Sequence, residues 1–404
     1  MEEKDEKASE EAKDPRATLN SFFRQRRTPS EVDAARLLTD IGASSAGAST
    51  TAADSTDVTE FKQVTSYTST AAAVSLGQGY TAVLDQAGVV TMFGEGDGSI
   101  AGPLALELPI ASVVCGLDHT LLITTQGALF SWGAGNWGRL GQGHQNSIFE
   151  PTQVDLKGQV AVNAVCGAYH SLVLSKSQTD SKANPIVLGF GWNRNNRIGA
   201  VTKDKCVVTP TEVKISDSPV VKLGAGNAFS VALDAEGKLF SWGSGLRGAL
   251  GQGDKKDRTT PTHVASLTEP VTDVACGDAF ALALDAKNVL YTWGSNSHGQ
   301  AGQGDSKTDV VVPRPLEGLS GAGVTVLAAG GTQAAAIKEG KLFAWGANSH
   351  GCLGLRDVDR TSVPTEVAGV TQASAVVFGW SHSALVADGR LYTSGKAAHG
   401  QLGY

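Results

Sequence analysis

The stretch VVCGLDHTLLITTQGALFSWGAGNWGRLGQG, residues 113–143, holds the pattern that decides the fold. A small apolar run ends at Gly116, and HTLLIT then alternates with the period of two expected of a strand. Gly127 marks a turn, the next strand-like run ends in Trp132 and Gly133, and Gly141 stands eight residues further on. Outward in both directions the chain repeats this unit. Its central glycine recurs as Gly94, Gly133, Gly191, Gly243, Gly294, Gly346 and Gly395, at spacings of 39, 58, 52, 51, 52 and 49. Eight residues past each stands Gly102, Gly141, Gly199, Gly251, Gly302, Gly354 or Gly403. Seven pairs at one offset exclude coincidence and point to a repeat architecture.

Each copy reads alike. An inner run closes on Gly77, Gly116, Gly167, Gly226, Gly277, Gly330 or Gly379. The strand before the central glycine ends in Phe93, Trp132, Phe190, Trp242, Trp293 or Trp345; Ser394 in the last copy predicts looser packing there. Pro151, Pro210, Pro261, Pro313 and Pro364 are expected to open an outer strand, where a missing N–H is tolerated. Four short strands repeated seven times predict an all-β, seven-bladed β-propeller with four-stranded blades. The chain reaches Tyr404 before any last outer strand, while Phe61-Lys-Gln-Val64 lies as far before its inner glycine as PTQV, residues 151–154, does before Gly167. Residues 61–66 are therefore expected to complete the last blade, an N-terminal strand closing the ring and removing its open edge. The propeller would span 61–404, after a mostly disordered extension over 1–60.

Composition agrees. With 49 Gly, 6% aromatic and 18% charged residues, the chain suits tight turns and buried strands. No run long enough to span a membrane appears, and the acidic start MEEKDEKASEEAKD lacks the apolar core of a secretory signal. The expected location is intracellular, cytoplasmic (cytoskeletal or ciliary sites included) or nuclear. Residues 1–60 hold 13 acids and 8 bases, and the other 344 residues hold 27 and 25. That balance lacks the basic surplus of phosphate-driven binding, so nucleic acid is not expected as the main ligand. There are five cysteines and no CxxC; Cys115, Cys166 and Cys276 each precede an inner glycine, a pattern of core residues rather than zinc ligands. No cofactor, metal or membrane partner is expected.

Two motifs mislead. Gly133 to Gly138 and Gly243 to Gly248 match GxGxxG, but they recur at blade period and lead into a strand, where a dinucleotide site needs a helix. His298, His350 and His399 share one repeat position with Trp137, Asn195, Arg247 and Gly98, a ring of turn residues on one face. Trp137, Arg139, Arg194, Arg197 and Arg247 lead the candidate partner contacts, because Trp and Arg are enriched at binding hot spots, and Asp118, His119, His298, His350 and His399 complete the set. His119, His170 and His382 fill a Gly-x-x-His slot suited to structural hydrogen bonds; Asp118 beside His119 is the acid there. No catalytic constellation recurs. SKSQTDSKAN, residues 175–184, is a polar surface insertion and a possible contact element. In the extension, Thr28-Pro29-Ser30-Glu31 has capping-box spacing and predicts a short helix near 29–41. Arg24, Arg26 and Arg27 are a weak signal for nuclear import or chromatin contact.

SWGAGNWGRLGQG, YTWGSNSHGQAGQG and FAWGANSHGCLG, with the proline-led strand and Gly-x-x-His, resemble the regulator of chromosome condensation repeat family over residues 61–404. The Gly-Gly pair that kelch needs in each blade is absent, and so are Trp-Asp blade ends. The resemblance implies several functions. One branch exchanges nucleotide on the small GTPase Ran at chromatin, with acidic contacts for which Asp118 is the partial match. Another senses ultraviolet-B through Gly-Trp-Arg-His-Thr copies, of which Gly379-Trp-Ser-His-Ser383 is a single distant cousin. Many members are scaffolds. The expectation is a non-enzymatic protein-binding propeller, scaffold or assembly subunit; the alternatives are an exchange factor for a small GTPase and a chromatin-associated regulator.

Overall fold

The structure, a computed structural model, describes residues 57–404 apart from Ala101, Ala105, Glu107, Ser181 and Ser306. The helix expected near 29–41 and the arginines at 24, 26 and 27 lie outside the described residues.

Seven four-stranded antiparallel sheets follow one another. Blade 1 comprises Ala71–Leu76, Tyr80–Asp85, Val90–Gly94 and Gly102–Pro103; blade 2, Ile110–Cys115, His119–Thr124, Leu129–Gly133 and Ile148–Gln153. Blade 3 comprises Gln159–Cys166, His170–Ser177, Ile186–Trp192 and Cys206–Val213; blade 4, Val220–Ala225, Phe229–Asp234, Leu239–Gly243 and Arg258–His263. Blade 5 comprises Val271–Cys276, Phe280–Asp285, Leu290–Gly294 and Val310–Pro315; blade 6, Val324–Ala329, Gln333–Lys338, Lys341–Ala347 and Arg360–Glu366. Blade 7 takes Ala373–Phe378, His382–Ala387 and Arg390–Gly395 from the end of the chain and its outer strand, Val58–Gln63, from the beginning. Inner strands of consecutive blades, and of blades 7 and 1, lie side by side and close the ring.

Burial explains the sequence pattern. The second strands are buried almost throughout, HTLLIT and FALALD along their whole length, because a neighbouring blade covers each of their faces. Trp132, Trp242, Trp293 and Trp345 are fully buried between blades. The glycine eight residues past each central glycine lies against the next blade's aromatic: a Cβ at Gly251 would meet the Trp293 ring at 3.0 Å, and one at Gly141 the Phe190 ring at 3.0 Å. These glycines also hold φ near +70°, so a side chain there meets both strain and a wall. From Gly116 onward each inner glycine abuts the next blade's inner-glycine carbonyl, as Gly226 does that of Gly277 and Gly116 that of Gly167.

Three expectations are corrected. The closing strand is Val58–Gln63 rather than 61–66. The alignment of Val64 with Val154 is sound, for Val64 N–H bonds Leu391 O and Val154 N–H bonds Leu129 O at the same point of their blades. The strand leads up to that valine instead of starting before it. The prolines do not open the outer strands. They sit inside them at a bulge, where Pro151, Pro210, Pro261, Pro313 and Pro364 each end three residues that face a single aromatic. An irregular stretch of edge strand needs no N–H from that residue. Blade 7 is not loosely packed at Ser394. Phe61, at the proline position of the closing strand, lies against Gly354 where other blades place their aromatic. Ser394 Oγ lies 2.8 Å from Val58 O and 2.7 Å from Gly351 O.

Candidate functional site: the loop face of the ring

Because strands alternate in direction, the short inner loops and the long loops before the outer strands open on one face. All ten residues singled out in the sequence belong to those loops or the strand ends beside them. The 175–184 insertion joins the second and third strands of blade 3 and therefore projects from the opposite face.

The Gly-x-x-His slot is part of the frame. His119 Nε2 lies 3.0 Å from Ser171 Oγ, His170 Nε2 2.8 Å from Ser230 Oγ, and His382 Nε2 3.1 Å from Thr81 Oγ1. In each case the hydroxyl belongs to the next blade, one residue after its own slot. Those hydroxyls donate to loop carbonyls, Ser171 to Arg139 O at 3.0 Å, Ser230 to Arg197 O at 2.7 Å and Thr81 to Gln401 O at 2.7 Å. Each therefore has only lone pairs left for the imidazole, so Nε2 carries the proton and donates. Burial pushes His170 down to about 3, with Arg197 adding to the shift, and His382 to about 4; His119 falls well below the usual range, by burial first and then Arg139 and His170. These imidazoles are neutral connectors. Where the slot holds Phe229 or Phe280, the matching residue of the next blade is Ala281 or Ala334.

The turn ring divides by exposure. Arg139 and Arg197 are buried, each 3% exposed. Arg139 Nε bonds Asn136 O at 3.1 Å, and the guanidinium lies 4.0 Å from Asp118 and 4.9 Å from the Tyr169 ring centroid. Arg197 donates to Arg194 O and Asn227 O, both at 3.0 Å, and burial followed by Arg194 lowers it to about 10. Asp118 is raised by burial against the pull of Arg139. With His119, the buried arginines and the half-buried Asp118 hold the loops together. Arg247 and His350 are exposed but tie neighbouring blades, Arg247 lying 3.8 Å from Asp309 and His350 Nδ1 2.6 Å from Asp57. His298 and His399 are exposed, their backbone N–H groups held by Gln300 and Gln401 at 2.8 Å.

What remains at the surface between blades 2 and 3 is an aromatic–arginine cluster. Trp137, 40% exposed and at φ 67°, stacks on Trp192 with centroids 5.0 Å apart and rings 19° from parallel. Tyr169 meets Trp192 edge-on at 5.4 Å, and the guanidiniums of Arg197 and Arg194 lie 4.5 and 5.9 Å from the Trp192 ring centroid. Trp192 escaped the sequence reading, although it fills a slot where the other copies have Glu95, Ala134, Ser244, Ser295, Ala347 and Lys396. An aromatic ring where no other copy has one was the available signal.

Inside the ring of loops the inner strands frame a channel mouth of about 300 Å³ lined by Leu117, Asn227, Asp278 and Trp380 among others. Among the described residues no group of three or more His, Cys, Asp or Glu side chains is placed to share a metal ion, and no helix is long and apolar enough to cross a membrane. All five cysteines are free, and burial pushes the Cys115 and Cys276 thiols up to about 12. The GxGxxG stretches lead through single 3-10 turns, Asn136–Gly138 and Leu246–Gly248, into outer strands.

Residues 40–336 match the RCC1-like domain, and residues 339–386 match the regulator of chromosome condensation (RCC1) repeat. The chain is 29% identical to the ultraviolet-B receptor UVR8 of Arabidopsis thaliana, over 82% of this chain and 78% of that protein. RCC1 domain-containing protein RUG3, mitochondrial, from the same plant is 32% identical over 68% of this chain and 62% of its own length. The RCC2 homolog of Xenopus laevis is 30% identical over 73% and 61%. Against these last two, the match therefore spans less than two thirds of the relative. Human WBSCR16 superposes with a TM-score of 0.69 at 22% identity, covering 82% of this chain and 88% of that one. Prp20p of Saccharomyces cerevisiae, described with its binding to Gsp1p and histones, superposes at 0.67 with 25% identity, covering 79% and 84%. With its repeats, its blade count and these matches, the chain belongs to the RCC1-like propeller family.

Proposed function

We propose that the chain is a non-enzymatic protein-binding propeller, a scaffold or assembly subunit, which takes its partner on the loop face at the Trp137–Trp192 stack. One observation carries this reading. An exposed tryptophan is held in left-handed backbone, stacked on a second tryptophan and flanked by Arg194. The turn's left-handed residue recurs as Asn195, Arg247 and His350, so what sets Trp137 apart is the exposed ring it presents there, and a pre-ordered aromatic–arginine surface loses little entropy on binding. Five free thiols fit a reducing compartment, cytoplasm or nucleus.

Exchange-factor activity is the second reading, favoured by the likeness to Prp20p and by Asp118 on the same face. Release of labelled GDP from Ran and other small GTPases separates the two. On the scaffold reading release is unchanged; acceleration on the order of a hundredfold or more overturns it and makes Asp118 the residue to mutate. In parallel, the full chain and a Trp137→Ala, Arg194→Ala variant are compared in quantitative pull-downs. Partners lost by the variant at unchanged melting temperature support the site, and an unchanged partner set removes it.

A further inference from the structure

We infer that the mouth of the central channel receives a cationic side chain of a partner peptide, a lysine ammonium or an arginine guanidinium, with Asp278 as counter-charge and Trp380 as aromatic wall. This rests on the protein-binding reading and adds a second point of contact, separate from the Trp137–Trp192 stack.

In blades 2 to 7 the residue after the inner glycine faces the mouth. In blades 5, 6 and 7 these are Asp278, Gly331 and Trp380. Their loops lie side by side: Asp278 N–H is shared between Gly330 O at 3.0 Å and Gly331 O at 3.2 Å, and Gly331 N–H reaches Gly379 O at 3.4 Å. Gly331 projects no side chain between the acid and the indole, and a Cβ there would meet nothing nearer than 3.8 Å.

Asp278 Oδ1 is shielded from solvent yet accepts no hydrogen bond. Burial raises its carboxyl against the opposing hydrogen bond of Asn227. A desolvated carboxylate short of donors is unfavourable, and a cation seated at the mouth offsets that through its charge. The lining contains no lysine or arginine to supply one. Arg197, which reaches the Asn227 carbonyl, is engaged there and over the Trp192 ring. Trp380 is 41% exposed, so its indole remains available for a cation–π contact. A channel mouth of about 300 Å³ has room for one long side chain but not for a folded element.

The test titrates the full chain with capped pentapeptides Gly-Gly-Lys-Gly-Gly and Gly-Gly-Arg-Gly-Gly, the glutamine analogue, and free butylamine. The readouts are the Trp380 indole resonance, assigned with Trp380→Phe, and the Asp278 carboxyl resonance across pH. The expected result is a saturable shift with a cationic peptide and none with the glutamine peptide, together with a fall in the Asp278 pKa on binding. Asp278→Asn should weaken binding by about tenfold or more, and Trp137→Ala should leave it unchanged. Absence of a saturable shift, an equal shift with the glutamine peptide, or undiminished binding to Asp278→Asn overturns the inference. Butylamine binding as well as the peptides do assigns the pocket to free amines and overturns the peptide assignment. Should Asp278→Asn fail to fold, Trp380→Ala, at an exposed position, carries the same comparison. Because the peptides probe the channel alone and the pull-downs probe the tryptophan stack, failure of one is distinguishable from failure of the other.

Discussion

Ser230 gives its hydroxyl proton to the Arg197 carbonyl and so meets His170 only as an acceptor. That small constraint decides the tautomer and charge of a buried imidazole. It also makes the slot a paired choice across blades, His with Ser or Thr and Phe with Ala. Ser230→Ala should strand the His170 Nε2–H in the core and destabilise the protein by about 1–3 kcal/mol. Adding His170→Phe installs the pairing that Phe229 and Ala281 already make, and should recover about 1 kcal/mol or more of that loss. A double-mutant cycle by urea denaturation measures it, and simple additivity of the two changes would refute the pairing. The same scale separates the arginines: Arg139 and Arg197 are spent on loop carbonyls and rings, while Arg194 is exposed beside the tryptophans.

The closing strand shows how an element compensates for one unusual residue. In blades 2 to 6 the outer strand bulges around the aromatic of the strand beside it, and blade 7 has a serine at that point. Phe61 fills the place from the bulge itself. Phe61→Ala should therefore lower stability by about 2 kcal/mol, less than a fully buried phenylalanine because this ring is only half-buried. Ser394→Trp, which restores the repeat pattern, should destabilise the chain rather than stabilise it, since the ring of Phe61 already stands there. Combining the two should recover part of both losses. Thermal melts of the three variants decide the matter: a stabilised Ser394→Trp would mean that the Phe61 site and the tryptophan site are different. The closing strand itself was legible in Phe61-Lys-Gln-Val64, but its direction from Val64 was not, because equal spacing aligns positions without saying which side of them is paired.

For the molecule as a whole, the three buried histidines sum into a pH response. Their folded values lie well below the ordinary value of about 6.5. Below about pH 6.5 the unfolded chain takes up protons that the folded ring refuses, so stability is full above that pH and declines as pH falls toward 4 and 3. Asp118 and Asp278, raised by burial, act in the opposite sense near the carboxyl range and offset part of the decline. Urea midpoints should drop between pH 7 and about 5, with a shallower slope in the His170→Phe, Ser230→Ala variant; an unchanged slope there would remove His170 from the response.

The repeat, the seven blades, the four strands in each and the closure by an N-terminal strand were all readable in the sequence, because strand period, turn glycines and their spacing are local properties that recur. The sequence also placed the turn-ring residues on one face, since a repeat position maps to one point of every blade. What it left open depends on contacts between blades. Burial of Arg139 and Arg197, the stacking of Trp137 on Trp192, the substitution of Phe61 for an absent tryptophan, and the opening between Asp278 and Trp380 over Gly331 all join residues of different repeats. Only closing the ring sets those distances. A periodic pattern fixes which residues face the neighbouring blade, while the packed geometry decides which of them are consumed in holding it and which remain free to meet a partner.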